Sequence, residues 1–260
     1  MIDKIFNVIE IKADNKHYYP NSMKKESWME DNYVPENEIN IPLGQSRYGG
    51  CVIDLPKDFE IPKNMRFAGQ LDLNEVGKFD KTNLLPKTGQ LFFFADIKEN
   101  IGKVIYKDID NTQLQRVINE HEDHFFLGVL IKGFKPKQEK LSDYYKVPEE
   151  DLECWECGGN ITKCKCEFEY KKDHIKGLDL NEDGKNWGCF EGYGTSKIFG
   201  VYANCQTFSR ERLKIMEKQI VLLQIGENGF NDEGVFNVLI KEEDLKKLNF
   251  DDCTLEWVQS

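Results

Sequence analysis

Four cysteines in one short stretch are the residues whose types and spacing point most directly to chemistry. The segment CWECGGNITKCKC contains Cys154, Cys157, Cys164 and Cys166. A C-x-x-C pair followed by glycine permits a tight turn with both sulfurs on one side, and the second pair can complete a tetrahedral set of thiolates. No base or open coordination position accompanies them. The spacing therefore predicts a closed, structural Zn²⁺ site.

Other interpretations of this cluster stay open. The four sulfurs could be reduced thiols facing solvent, or they could form two disulfides, although a reducing compartment disfavours disulfides. A further hypothesis is a redox or metal sensor that releases zinc when its thiolates are oxidised. The other cysteines lie among apolar residues, which predicts core packing. They are Cys51, Cys189, Cys205 and Cys253.

Two further motifs resemble metal sites but favour simpler interpretations. Asp179 to Asp183 reads D-L-N-E-D and is followed by glycine, like the first half of a calcium loop, yet the acid expected at position twelve falls one residue late, at Glu191. This pattern favours a solvated turn over a calcium site. His121 and His124 can share a helix face, but they stand among acidic residues, which is typical of a solvated helix end.

The charge balance limits the classes of partner. The chain has 260 residues with 46 acidic and 35 basic side chains, giving a net charge of −11. A phosphate backbone would be repelled, so we expect no nucleic-acid binding, whereas a basic protein partner would be attracted. The sequence has no apolar run of the length that a membrane helix needs, and its start lacks the pattern of a signal peptide. We therefore predict a cytoplasmic protein without membrane contact.

The elements that must position any site are organised around Arg66–Tyr106, the densest apolar stretch. Leu91–Phe94 gives four large apolar residues in a row, which is typical of a strand buried on both faces. The other predicted elements are a short helix at residues 2–11, a strand at residues 51–53 ended by Pro56, a helix at Thr112–Glu122, strands at Phe125–Phe134 and Ile198–Tyr202, a helix at Ser209–Lys218, strands at Ile220–Ile225 and Val235–Ile240, a helix at Lys241–Leu248 and a strand at Cys253–Val258. The first of these is ambiguous, because Val8, Ile9 and Ile11 would also suit a strand.

A weak internal repeat suggests two similar β-hairpin units in one core. FAGQL followed by GQLFF parallels LLQI followed by GVFNV, with a glutamine among apolar residues and a glycine opening the second strand. Gln70 and Gln224 are the two glutamines, and as buried amides they need hydrogen-bond partners. With Arg47 and Asp232 they could line a cleft between the two units. These patterns predict a single β-rich body of strands with a few short helices.

The composition changes abruptly at Lys135, after which lysine and acidic residues dominate before the cysteine cluster. We interpret residues 135–190 as an insertion that carries the small zinc site. The rest of residues 1–260 then forms one domain with the two sheet units.

Several segments resemble the YwqG-like family, a group of bacterial proteins of unknown function. The similar segments are SRYGG at Ser46–Gly50, FAGQLDL at Phe67–Leu73, LPKTGQLFFF at Leu85–Phe94, LLQI at Leu222–Ile225, NDEGVF at Asn231–Phe236 and KEEDLKKLNF at Lys241–Phe250. The chain departs from the family where Phe230-Asn231 replaces a Trp-Gly pair and where Ile198–Gln206 lacks a proline. The resemblance implies a single mixed α+β domain and transfers no catalytic residue. Some relatives lie near toxin genes, which implies an immunity or inhibitor role.

These observations lead to one principal function and one alternative. The principal hypothesis is a non-catalytic module that binds a basic protein, in a toxin-immunity role, and carries a structural zinc site. The alternative is an enzyme or small-molecule-binding protein that uses the cleft between the two sheet units.

Overall fold

The computed structural model describes residues 4–27, 29–96, 99–118, 127–141, 144, 192–204, 206–207, 209–226 and 234–259. The strands are β1 Ile5–Tyr19, β2 Tyr33–Pro35, β3 Arg47–Tyr48, β4 Val52–Pro56, β5 Arg66–Asp72, β6 Gln90–Asp96, β7 Ile101–Lys107, β8 Leu114–Ile118, β9 Gly128–Lys140, β10 Lys197–Ile198, β11 Ile220–Ile225, β12 Gly234–Ile240 and β13 Thr254–Gln259. The helices are α1 Leu73–Val76, α2 Ser209–Lys218 and α3 Glu242–Lys246, with 3-10 helices at Glu36–Glu38 and Asn111–Gln113. The described chain is mostly β-structure with few helices.

One large sheet organises the fold. Its strands run in the order β13-β12-β11-β10-β1-β9-β3-β5-β6-β7, with β2 added beside β1, and a second sheet contains only β4 and β8 among the described strands. The two outermost strands of the large sheet meet, so the sheet is nearly closed. The backbone N–H of Trp257 donates to Oδ1 of Asn100 at 3.0 Å, and a Cβ on Gly102 would lie 2.3 Å from Leu255. We call this line of contact between β7 and β13 the seam.

The aromatic run of β6 is buried on both faces, as predicted. The side chains of Leu91 and Phe93 point to the inside of the nearly closed large sheet. There they join a core that also contains Leu222 and Phe236 from the other half of the sheet. Phe92 and Phe94 point the other way, into a cluster covered by the small sheet. All four side chains of Leu91–Phe94 have 0% exposure. Each contributes about 1.5–3 kcal/mol of burial free energy, so β6 anchors both layers.

The two hairpins that the sequence predicts to be similar have matching geometry. Gln70 of β5 pairs with Phe92, the third residue after Gly89, and Gln224 of β11 pairs with Asn237, the third residue after Gly234. Each hairpin also has a register shift just before its glutamine, between Phe67 and Gly69 and between Val221 and Leu223. The large sheet thus reads as two five-strand halves that meet at β1 and β9 and again at the seam.

Two predicted helices are strands instead. The sequence predicts a helix at residues 2–11, but β1 begins at Ile5 and pairs with β9 along most of its length. It also predicts a helix at Thr112–Glu122; there a 3-10 helix capped by Asp110 ends at Gln113, and β8 follows and pairs with β4. In both places pairing with a strand distant in sequence outweighs the local helical spacing.

Strand β9 extends further than predicted. It continues to Lys140, which pairs with Ile5, so the change in composition at Lys135 falls inside a strand. Residues 135–140 of the predicted insertion therefore belong to the large sheet. Beyond them the structure describes only Leu141 and Tyr144 before residue 192.

The C-terminal elements agree closely with the predicted ones. Helix α2 has the bounds expected, and Leu213 and Met216 pack inward. Strands β11, β12 and β13 and helix α3 also lie where the sequence places them. Strand β10 is shorter than predicted, since Phe199 and Gly200 have φ angles of 65° and 99° that end it. No helix within the described ranges is both long and apolar enough to cross a membrane.

Candidate functional site

A cleft of about 1160 Å³ lies beside the seam. It is bordered by four segments that are distant in sequence: the loop after β4, strand β7 with its following turn, the 3-10 helix at Asn111–Gln113 with the start of β8, and the loop between α3 and β13. Its lining residues are Pro56, Lys57, Asp58, Phe59, Glu60, Lys103, Val104, Ile105, Tyr106, Lys107, Asp108, Ile109, Thr112, Gln113, Leu114, Leu248, Asn249, Phe250 and Asp251. Because β7 belongs to the first half and residues 248–251 to the second, the cleft lies where the halves meet.

The cleft borders the edge of β7 rather than one of its faces. Residues 103 to 109 all line it without a gap. Successive side chains of a strand point to opposite faces, so an uninterrupted row of lining residues places the backbone edge at the cleft. Within the described part of the chain, β7 forms ladder pairs with β6 alone. Its outer edge therefore presents backbone N–H and C=O groups to the cleft.

Aromatic rings form the apolar surfaces of the cleft. The rings of Tyr106 and Phe250 have centroids 6.2 Å apart and join β7 to the loop before β13. Phe59 packs on Phe92 and Phe94, with ring centroids 5.6 and 5.9 Å away, and this holds the wall formed by residues 56–60. Such rings supply broad contact surface with few rotatable bonds.

The Tyr106 hydroxyl is tied to the protein. It donates to the backbone oxygen of Thr88 at 3.3 Å. Burial, together with the nearby charge of Asp108, raises the pKa of Tyr106. The phenol therefore stays protonated at neutral pH and acts as a hydrogen-bonding group rather than a base.

The rim of the cleft carries both charges. Three lysines and four carboxylates line it, the lysines mainly on β7 and the carboxylates mainly on the facing loops. These residues are Lys57, Lys103, Lys107, Asp58, Glu60, Asp108 and Asp251. A ligand in the cleft thus meets positive charge on the β7 side and negative charge across from it.

A buried polar network fixes the 3-10 helix that forms one wall. Asn111 donates to the Asp72 carboxylate at 2.8 Å and accepts from Nε2 of Gln90 at 2.6 Å. Gln70 donates to Oε1 of Gln90 at 3.0 Å and, on its own Oε1, accepts the backbone N–H of Asp54 at 3.4 Å. Gln70 is thus a positioning residue beneath the wall, and its amide has the partners that burial requires.

Arg47 belongs to a neighbouring buried ion pair. Its Nη2 lies 2.9 Å from the Asp54 carboxylate, and both side chains have 0% exposure. Arg116 contacts the other oxygen of Asp54, also at 2.9 Å. Burial alone would raise the pKa of the Asp54 carboxyl, but the Arg116 hydrogen bond and the Arg47 charge outweigh it and lower that pKa.

A comparable buried pair joins Lys197 of β10 to Glu139 of β9. Nζ of Lys197 lies 2.8 Å from Oε2 of Glu139 and 3.2 Å from the Tyr144 hydroxyl, and the same Glu139 oxygen accepts the backbone N–H of Val201 at 2.9 Å. Burial lowers the pKa of Lys197, and the Glu139 charge opposes that shift. Gln224 donates to two backbone oxygens in residues 192–195. Each basic residue is register partner to the glutamine of its own hairpin.

Three of the four residues predicted to line a cleft can be located in the structure. Arg47, Gln70 and Gln224 all have 0% exposure, and none of them borders the cleft. Strands β3, β9, β1 and β10 separate β5 from β11 in the large sheet. Asp232 lies outside the described residues. The residues that line the cleft beside the seam were not among the four predicted ones.

The predicted metal ligands fall outside the part of the chain that the structure describes. This holds for Cys154, Cys157, Cys164 and Cys166, and also for the aspartate-rich turn at 179–183 and for His121 and His124. Within the described ranges, His, Cys, Asp and Glu side chains do not gather in a group of three or more that could hold an ion.

Two of the cysteines predicted to pack in the core can be located. Cys51 is buried beside Tyr18 and Val52, and Cys253 packs partly against the main core. Burial, reinforced by nearby carboxylates including that of Asp244, raises the pKa of Cys253 to about 12. A nucleophilic thiol is exposed and has a lowered pKa, whereas Cys51 is buried and the pKa of Cys253 is raised. Cys189 and Cys205 lie outside the described residues.

Comparison with known proteins gives a family but no activity. A search of curated proteins finds no match to the chain. The profile of the family described as "Domain of unknown function (DUF1963)" matches residues 46–258, which is most of the sequence and spans both halves of the large sheet. The chain belongs to this family of domains of unknown function, DUF1963.

Proposed function

We propose that this protein is a non-catalytic binding protein that holds a segment of a partner protein in the cleft beside the seam. The observation that carries the proposal is a cleft of about 1160 Å³ bordered by the outer edge of β7. Among the described strands, none pairs with β7 along this edge, since its ladder partner β6 lies on the other side. An exposed strand edge is a site for pairing with another chain, and aromatic surfaces are typical of protein interfaces. The cleft therefore has both backbone and side-chain means of holding a peptide.

The net charge supports a partner with positive charge. At −11 the chain attracts basic proteins over distances of about a Debye length, which accelerates encounter. The narrower proposals, that the protein is YwqG-like and neutralises a basic toxin, rest on the sequence resemblance and on this charge. Association with such a partner would slow as ionic strength rises; a rate independent of salt would contradict a role for the net charge.

Selection from a displayed random-peptide library tests the cleft. Peptides are selected on the natural protein and then measured against Asp251→Trp, which places a ring in the cleft. Asp252→Trp is the matched control, because Asp252 is the next residue, is also exposed and does not line the cleft. We expect selected peptides to lose binding to the first variant and to retain it with the second. Peptides that bind both variants equally, or a failure to select any, would overturn the proposal.

We also propose that the cysteine cluster binds one structural Zn²⁺. The support is the sequence CxxCGG followed by CxC, whose four thiolates match the ligands of closed zinc sites. Metal analysis of the purified protein should give zinc in stoichiometric amount, lost when Cys154 and Cys157 become serine. Serine at Cys51 and Cys253 is the control and should leave the zinc in place. Protein that is folded, fully reduced and free of zinc would contradict the proposal.

A small-molecule ligand is the second candidate for the same cleft. Its volume lies slightly above the roughly 300–1,000 Å³ of ordinary ligand pockets, and Tyr106 and Phe250 offer rings for stacking. Thermal-shift screening of a metabolite collection would support this candidate if a compound stabilises the natural protein and Asp252→Trp but not Asp251→Trp.

A further inference from the structure

We propose that the partner segment binds as an added β-strand on the outer edge of β7, with an acidic–x–apolar–x–acidic pattern on the face beside the two β7 lysines. The acidic residues belong to this segment alone, whereas the partner as a whole is basic. The inference rests on the proposed function and deepens it by naming the backbone geometry and chemistry of the ligand. Three features of the cleft support it: the hydrogen-bonding groups of the edge, the room beside it and the side chains along it.

The edge of β7 supplies the hydrogen bonds. In an antiparallel pair, every second residue directs its N–H and C=O away from the neighbouring strand. Strand β7 pairs with β6 from Ile101 to Lys107, so alternate residues along it direct both groups toward the cleft. At the end of the seam near Asn100 this edge is covered by β13, whereas the cleft leaves it open from Lys103 onward.

The cleft has the volume of one strand. A strand of about seven residues, with a rise of about 3.3 Å per residue, a spacing of about 4.8 Å from its neighbour and a thickness of about 10 Å, occupies roughly 1,100 Å³. The cleft measures about 1160 Å³ and runs beside the seven residues from Lys103 to Ile109. One extended segment therefore fits along β7, and a helix, about 10–12 Å across with its side chains, does not match the edge.

The two faces of β7 set the expected side chains. The side chains of Lys103, Ile105 and Lys107 share one face of β7. Within the described residues, neither lysine forms an ion pair with a carboxylate. Opposite charges directly across a strand pair are favourable, so acidic side chains should flank an apolar one on this face of the ligand. Val104 and Tyr106 occupy the other face, where Phe250 favours apolar or aromatic ligand residues.

A second copy of this chain is the other occupant that an open strand edge can accept. It would pair two β7 edges and bring the lysines of both copies together. Like charges across a strand pair are unfavourable, which disfavours this dimer relative to a separate, acidic segment.

The test uses the consensus peptide selected from the display library on the full-length protein. Versions of this peptide are N-methylated at single successive positions. We expect a loss of about tenfold in affinity for each hydrogen bond removed, at alternate positions only, because a strand uses alternate amides on one side. If methylation weakens binding nowhere, or weakens it without a period of two, the added strand is refuted while cleft binding itself stands. If no peptide depends on the cleft at all, the proposed function fails instead.

A charge exchange tests the sequence pattern independently. With Lys103→Glu and Lys107→Glu combined, repeated selection should yield basic residues where acidic ones were found. Lys140→Glu is the matched control, since Lys140 is an exposed strand lysine that does not line the cleft. The pattern would be overturned if peptides selected on the natural protein lack acidic residues at these positions. It would also be overturned if the charge-exchanged variant selects an unchanged consensus. If the natural protein is a dimer and these substitutions dissociate it, the proposal that a separate partner occupies the edge is overturned in favour of a second copy of the chain.

Discussion

Replacement of Glu139 by glutamine should destabilise the protein far more than loss of a surface carboxylate. The side chains of Lys197 and Glu139 have 0% and 2% exposure and lie 2.8 Å apart. The substituted amide would keep the shape of the side chain but leave the Lys197 ammonium buried without a counter-charge. Removing one partner of such a pair costs about 3–5 kcal/mol, a large part of the roughly 5–15 kcal/mol that stabilises a domain.

The same replacement should make stability depend on pH in a defined direction. Burial lowers the pKa of Lys197, and Glu139 opposes that shift, so the variant's folded-state pKa falls further below the unfolded value of about 10.4. At pH values between the folded-state and unfolded-state pKa of Lys197, the unfolded chain binds more protons than the folded one. In that range the free energy of unfolding therefore rises with pH. The deficit of the variant therefore shrinks as the pH rises toward about 10.

Urea unfolding followed by circular dichroism measures both effects. Glu242→Gln is the control, since Glu242 pairs with Lys246 on an exposed helix face and should cost only about 0.3–0.5 kcal/mol. A double variant, Glu139→Gln with Lys197→Met, should recover much of the loss because no charge stays buried. A Glu139→Gln loss as small as that of the control, or a double variant less stable than the single one, would show that Glu139 does not stabilise the fold by balancing the Lys197 charge.

Three further substitutions have defined outcomes. Asp54→Asn should cost about 3–5 kcal/mol at neutral pH. Because Arg116 and Arg47 hold the pKa of the folded Asp54 carboxyl below its ordinary value, the natural protein loses this stability as the pH falls below about 4, toward the folded pKa. Acid titrations of the unfolding midpoint should show this component missing from the variant. Gly128→Ala should cost about 1–3 kcal/mol in thermal unfolding, because its Cβ would lie 1.9 Å from the Tyr18 ring. Gly133→Ala, whose Cβ would meet none of the described residues within 4 Å, should be neutral or slightly stabilising in the same measurement.

The central strands were predictable because their signals are local and consistent. Leu91–Phe94 is apolar at every position, and a strand buried on both faces requires just that. The two wrong helix predictions fall on strands whose pairing partner lies far away in the sequence. Ile5 and Ile9 have helical spacing, yet β1 is held by Pro136 and Lys140 of β9, which no local pattern reveals. Leu114 and Val117 likewise serve a strand whose partner β4 lies about sixty residues earlier in the chain.

A second sequence repeat, besides the one around the two glutamines, corresponds to the buried basic residues. SRYGG at residues 46–50 and SKIFG at residues 196–200 share a serine, a basic residue and a final glycine in the same order. In the structure, Ser46 and Ser196 accept equivalent backbone hydrogen bonds from Ile131 and Ile11, at 3.0 and 2.9 Å. Aligning these segments together with the two glutamines would have predicted matching halves, each with a buried cation.

The cleft itself could not be predicted residue by residue. Its walls come from segments as distant as residues 56–60 and 248–251, and they meet only because the large sheet curves until β7 approaches β13. Lys103 and Lys107 are strand lysines, a pattern that usually protects an edge from association. Only the closed sheet shows that this edge opens into a cleft.

Hydrogen–deuterium exchange of the full-length protein with and without the selected peptide shows directly whether the edge of β7 binds the peptide. We expect the peptide to slow exchange in residues 101–107, at the amides that direct their N–H into the cleft, with smaller changes at residues 248–251. Slower exchange confined to other surfaces, with β7 unchanged by a peptide that binds, would contradict the assignment of this edge as the binding site.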